Sequence, residues 1–130
     1  FGRERSQAIW KAGFGRVLDR LRGMGGQVVV VRDTPTPIKS MGSICLETRE
    51  PTDCATPRSD AFPDGTPDID VAFTSPAIGL LDLSDEFCDG KSCPAMKDGL
   101  IVYRIDDHHI TATMSLRLAP RFVGLLKSLP

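Results

Sequence analysis

Four consecutive valines, Val28-Val29-Val30-Val31, set the frame for any fold this chain adopts. β-Branched side chains lose rotamer freedom in a helix and fit a pleated strand. A run without polar alternation predicts a strand buried on both faces, as in a parallel sheet. Before it, Trp10, Phe14, Val17, Leu21 and Met24 recur at spacings of 4, 3, 4 and 3, one apolar stripe at the helical period. Arg16, Asp19, Arg20 and Arg22 mostly fill the other faces. Gly25-Gly26 ends that helix, because glycine accepts the left-handed conformation just past a C-terminus. Helix, glycine turn and buried strand make half of a β-α-β unit and predict an α/β fold. Asp33-Thr34-Pro35 follows at the carboxyl end of the strand, where open α/β sheets bind ligands.

Residues 36–67 read as irregular, punctuated by Pro37, Pro51, Pro57, Pro63 and Pro67. So long a structureless stretch is unusual in a compact domain. A short helix is expected over Asp68 to Ala77, and a second buried strand over Ile78 to Leu83. Ser84-Asp85-Glu86-Phe87 reads as a single helical turn, Asp98-Gly99 as a turn and Leu100 to Tyr103 as a short strand. Thr111 is placed to cap a last helix, whose apolar stripe is Ile110, Met114, Leu118, Phe122 and Leu125/Leu126. Pro120 falls inside that pattern and is expected to kink or break it.

A chain of 130 residues has room for one domain with a core. Its formal net charge is −1 and no Lys/Arg block stands out, which argues against nucleic acid as a partner. No stretch approaches 18 consecutive apolar residues. Phe1 is not a start methionine and the sequence opens within a helical pattern, so it reads as a fragment lacking its N-terminal part.

Cys45, Cys54, Cys88 and Cys93 form two close pairs in loop-like stretches. The sequence allows three pairings. Local bridges Cys45–Cys54 and Cys88–Cys93 suit the spacing, each stabilising by about 2–3 kcal/mol on the loop-entropy model. Such bridges imply an oxidising compartment. Free thiols in a cytosolic protein are the alternative. A zinc site fits poorly, because neither pair has Cys-x-x-Cys spacing.

The chemistry concentrates in Asp106-Asp107-His108-His109-Ile110-Thr111. A carboxylate three residues before a histidine can fold back onto one ring nitrogen. The other nitrogen is then free to take a proton from a nucleophile, which gives the base and orienting members of a Ser-His-Asp triad. A solvated acidic turn that caps the next helix would look the same. Asp107 with His109, and Asp106 with His108, are alternative pairs. As a metal cluster the four residues lack partners, since the chain has no other histidine. No metal or cofactor is called for. Ser43, Ser84 and Ser92 lie in loops, and none stands in Gly-x-Ser-x-Gly or Gly-Asp-Ser. Ser40 and Ser43 follow the valine strand and could lie near the site, though loop serines are usually turn formers. The nucleophile is missing from these residues.

Taken together, the ordered pieces resemble a known family. They are the helix ending Gly25-Gly26, Val28–Val31 running into Asp33-Thr34-Pro35, Cys45-Leu46, Leu81-Asp82-Leu83 and the Cys88-to-Cys93-Pro94 loop. Asp98-Gly99, Tyr103-Arg104 leading to Asp106-Asp107-His108-His109-Ile110-Thr111, and Leu118-Ala119-Pro120 complete the set. The chain is similar to the C-terminal part of the SGNH (GDSL-like) domain fused to bacterial acyltransferase 3 membrane proteins. The resemblance implies a three-layer α/β/α, flavodoxin-like parallel sheet, N-terminally incomplete, with residues 1–130 as the C-terminal portion of one domain. It maps the family's Asp-x-x-His onto Asp106 and His109 and puts the serine upstream of Phe1. Ile110 replaces the usual leucine after the histidine, and Ile105 is an extra residue before the acid.

The implied activity is transfer of an acyl group, usually acetyl, to a hydroxyl of a cell-surface glycan. The partners are then an acyl donor, a glycan acceptor and a transmembrane acyltransferase domain upstream, at the periplasmic or extracellular face of a bacterial membrane. Thr34, Lys39 and Tyr103 are candidate substrate contacts by loop position. The rival readings are an SGNH-type esterase and a non-catalytic secreted glycan-binding or accessory module. On the transferase reading, the fragment alone is inactive.

Overall fold

A computed structural model describes residues 2–38, 42–62, 66–106 and 109–129. In chain order, helix α1 (Arg3–Gly23) leads into strand β1 (Val28–Val31), and two 3-10 turns follow at Ser43–Glu47 and Pro51–Asp53. Next come β2 (Ala55–Pro57), α2 (Arg58–Ala61), α3 (Pro67–Phe73), β3 (Ile78–Leu81) and α4 (Ser84–Phe87). The chain finishes with β4 (Ser92–Pro94), β5 (Met96–Lys97), β6 (Leu100–Ile101) and α5 (Ala112–Ser128). These elements form two compact units, one of residues 1–32, 65–82 and 129–130, the other of residues 33–64 and 83–128.

The first unit is the α/β part. β1 and β3 pair in parallel with Val28 opposite Ile78 and Val31 opposite Leu81. The Arg32 N–H extends the ladder to the Leu81 carbonyl at 2.9 Å, and the Arg32 guanidinium meets Asp82 at 2.9 Å beyond it. Leu18, Val28, Val30, Val71, Ala72 and Ile78 form the buried core, with Phe14 and Leu80 packed against it. The valine strand is less enclosed than a run buried on both faces, since Val29 is half-buried and Val31 exposed. Only one other strand pairs with it among the described residues.

The orientation of α1 departs from the stripe read in its sequence. Of Trp10, Phe14, Val17, Leu21 and Met24, only Phe14 packs on the core, and the other four are exposed. The buried residue is Leu18, about 100° round the helix from Val17. The Phe14–Leu18 row faces α3 and the strands, and Lys11 pairs with Asp70 of α3 at 3.3 Å on that side.

The second unit is built on the cysteines. Cys45–Cys54 and Cys88–Cys93 are disulfides, as the spacing suggested. All four cysteines are buried with Ala61, Phe87, Ala95, Val102, Tyr103, Met114 and Leu118. The span read as irregular is held in short elements, because β2 pairs antiparallel with β4, Thr56 opposite Cys93. The buried Thr56 hydroxyl accepts the Ile38 N–H at 3.1 Å and ties the proline-rich segment down. Asp98 (φ 50°) and Gly99 (φ 78°) turn β5 into β6, and positive φ at both centres fits a type I′ hairpin. Arg58 gathers the second disulfide loop, donating to the Asp89 carbonyl at 2.8 Å, Asp85 Oδ1 at 2.6 Å and Ser84 Oγ at 3.0 Å. Within that loop the N–H groups of Lys91 and Ser92 both donate to Asp89 Oδ1, which holds the carboxyl below its ordinary value.

α5 runs through Pro120 without ending there. Proline removes the donor for the Leu116 carbonyl. Pro120 and Leu116 both lie on the exposed side, where water can satisfy that oxygen. The opposite side buries Met114 and Leu118, and that packing holds the helix together.

Candidate active site

Asp106 and His109 sit on a loop of the second unit whose two ends are fixed in its core. Val102 and Tyr103 enter it, 0% and 2% exposed. Ile110 leaves it, bridged antiparallel to Tyr103. The Arg104 N–H donates to the His109 carbonyl at 2.8 Å, and the Thr111 N–H donates to the Val102 carbonyl at 2.9 Å. The loop is therefore closed at its base like a hairpin.

Thr111 joins this base to α5. Its hydroxyl donates to the Ile101 carbonyl at 2.6 Å and accepts the Met114 N–H at 3.2 Å. The second bond is the N-cap read from the sequence, made to the third residue of the helix. One side chain thus starts the helix and pins the strand that leads to the loop.

The acid and the imidazole meet as the three-residue spacing allows. Asp106 Oδ2 lies 3.0 Å from His109 Nδ1, and Asp106 Oδ1 accepts the His109 backbone N–H at 3.0 Å. An ionised carboxylate only accepts, so in the neutral ring this contact favours the proton on Nδ1 and the lone pair on Nε2. The His109 side chain is 73% exposed and that of Asp106 39%. So open a pair adds little to stability, about 0–1 kcal/mol. Its effect is to fix the tautomer and aim of the ring. Helix capping, the plainer explanation of the acid, falls to Thr111 instead.

The remaining expected residues divide. Thr34 is half-buried, its N–H donating to the Asp33 carboxylate at 2.8 Å. Lys39, and with it Ser40, Asp107 and His108, lies outside the described residues. Tyr103, expected at a substrate surface, is buried in the core at 2% exposure, and its backbone bridges to Ile110. Ser84 serves Arg58, and Ser92 lies 3.3 Å from the Asp89 carboxylate. Ser43, read in the sequence as a loop serine that could lie near the site, reaches the site loop: its hydroxyl donates to the Arg104 carbonyl at 2.9 Å. No spacing announces a contact across 61 positions.

A family model described as "SGNH domain (fused to AT3 domains)" matches residues 2–124. No curated protein and no solved structure matches the chain.

Proposed function

Because this chain belongs to the family of SGNH domains fused to AT3 domains, we propose that it is the C-terminal part of an acyl-transferring SGNH domain whose base is His109 and whose orienting acid is Asp106. The observation that carries this reading is the 3.0 Å contact between Asp106 Oδ2 and Nδ1 of an exposed imidazole. The serine comes from outside residues 1–130. Both compact units belong to this one domain, whose parallel sheet lies between two helical layers.

Nε2 of His109 takes the serine proton as the oxygen attacks the carbonyl of an acyl donor. The tetrahedral intermediate collapses, the donor's leaving group departs with that proton, and an acyl-serine remains. A sugar hydroxyl of a cell-surface glycan then gives its proton to Nε2 and attacks the ester. Collapse releases the acylated glycan and returns the proton to serine. Asp106 stays ionised throughout and steadies the imidazolium. Water in place of the sugar makes the same site an esterase.

The two disulfides support a periplasmic or extracellular setting. The printed link to AT3 domains supports attachment to a transmembrane acyltransferase. Among the described residues no helix is long and apolar enough to cross a membrane, which suits a module carried by that partner domain. Thr34 and Lys39 are proposed to line the acceptor side. Replacing His109 by alanine in the longer protein tests the reading through acyl transfer to glycan. Transfer is expected to be abolished, and transfer at the parental rate would leave the accessory-module reading in its place.

A further inference from the structure

We infer that Ser43 is a positioning residue for the Asp106–His109 pair, an inference that rests on the function proposed above. Ser43 opens the 3-10 turn Ser43–Glu47. Two residues on, Cys45 is buried and bridged to the fully buried Cys54. The backbone carrying Ser43 is therefore anchored in the core by a covalent bond. From that anchor the Ser43 hydroxyl donates to the Arg104 carbonyl at 2.9 Å. The N–H of the same Arg104 donates to the His109 carbonyl at 2.8 Å. Arg104 is thus gripped on one side by the disulfide-anchored turn and on the other by the histidine it positions.

The grip matters because the pair gets little help from packing. His109 is 73% exposed and Asp106 39%. Among the described residues packing does little to hold the ring, so its aim follows from its bond to Asp106 and from the backbone of its loop. That backbone is fixed at the base by the Tyr103–Ile110 bridge and the Thr111 contacts, and along its flank by Ser43. Without the hydroxyl, the Arg104 carbonyl loses its donor from Ser43, and the backbone of Arg104 that holds the His109 carbonyl is freer to shift. A base displaced by about 1 Å forfeits a large part of its rate, up to about a hundredfold. Ser43 reaches the pair through Arg104.

The ring nitrogens of His109 report this directly. In ¹⁵N-labelled chain the parental ring is expected to show a protonated Nδ1 and a bare Nε2. In Ser43→Ala the two nitrogen shifts are expected to converge as both tautomers become populated. Ser43→Thr, which keeps the hydroxyl, is expected to restore the parental pattern. In the longer protein Ser43→Ala is expected to lower kcat about tenfold with KM unchanged. Ring shifts unaltered by Ser43→Ala would overturn the inference. So would loss of amide dispersion throughout the chain, because the hydroxyl would then serve the fold and not the pair. Asp106→Asn separates the two readings. If that change leaves the ring shifts alone, the acid–imidazole reading fails and this inference with it. If Ser43→Ala moves the shifts and kcat stays put, the positioning stands and the catalytic reading fails.

Discussion

The Asp106 carboxylate holds His109 twice, by the ring at Nδ1 and by the backbone N–H, both at 3.0 Å. Asparagine at 106 keeps an oxygen for one of these contacts but can present an amide N–H to the ring, which reverses the tautomer. Asp106→Asn in the longer protein is expected to reduce acyl transfer by about 10²–10⁴-fold with the melting temperature nearly unchanged. Initial rates and a thermal melt on the same preparation check both halves. A rate within a factor of about two of the parent would remove Asp106 from the mechanism.

Asp89 gives the second disulfide loop a pH dependence. Its carboxyl titrates below the ordinary 3.8 because the Lys91 and Ser92 N–H groups favour the ionised form, and burial opposes this only in part. A depressed folded-state value means the contribution is fully present above the unfolded value and is lost as pH falls through the folded one. The stability gap between parent and Asp89→Asn is therefore expected at neutral pH and to close below about pH 4. Urea midpoints across that range measure it, and a gap independent of pH would contradict the assignment.

Leu18 and Val17 are neighbours with opposite fates, one 4% and the other 53% exposed. Leu18→Ala is expected to cost about 2–4 kcal/mol, and Val17→Ala less than about 0.5 kcal/mol. Chemical denaturation distinguishes them. Comparable losses at both positions would mean that α1 turns its other face inward.

Pro120 interrupts the hydrogen bonding of α5 without contributing a buried side chain. Pro120→Ala is expected to raise stability by about 1–2 kcal/mol, the restored bond and better propensity outweighing the freer unfolded chain. A lower melting temperature in the variant would show that proline fits a bend the native helix needs.

Reducing Cys45–Cys54, or replacing both residues by serine, is expected to cost about 2–4 kcal/mol. The bridge also anchors Ser43, so the His109 ring resonances should broaden at the same time. Stability loss with sharp, unmoved ring signals would uncouple the bridge from the site loop.

Much of this architecture is local and was therefore legible. The valine run, the Leu80-Leu81 strand, the Asp98-Gly99 turn, the Thr111 cap and the cysteine pairs each announce themselves within a few residues. Asp106 and His109 share a turn, so their contact was legible too. What stayed hidden depends on partners distant in sequence. The β2–β4 pairing joins segments almost 40 residues apart and is invisible in a proline-rich stretch. The stripe on α1 names its apolar residues but not the one its neighbours cover. Tyr103 reads as a substrate contact by its loop position, and its burial follows from packing against residues distant in sequence. Ser43 looks like any loop serine until Arg104 is brought to it.

A hydroxyl owns one proton and two lone pairs. At Thr111 the proton goes to the Ile101 oxygen, one lone pair takes the Met114 amide and the other lies 3.1 Å from the Thr113 hydroxyl, which must then be the giver. The whole valence of that oxygen is spoken for. Carboxylates lack the proton, valine lacks everything but the shape, and amides set donor and acceptor on different atoms farther from the backbone. Of the other side chains, only serine carries the same donor and acceptors at the same distance from the backbone.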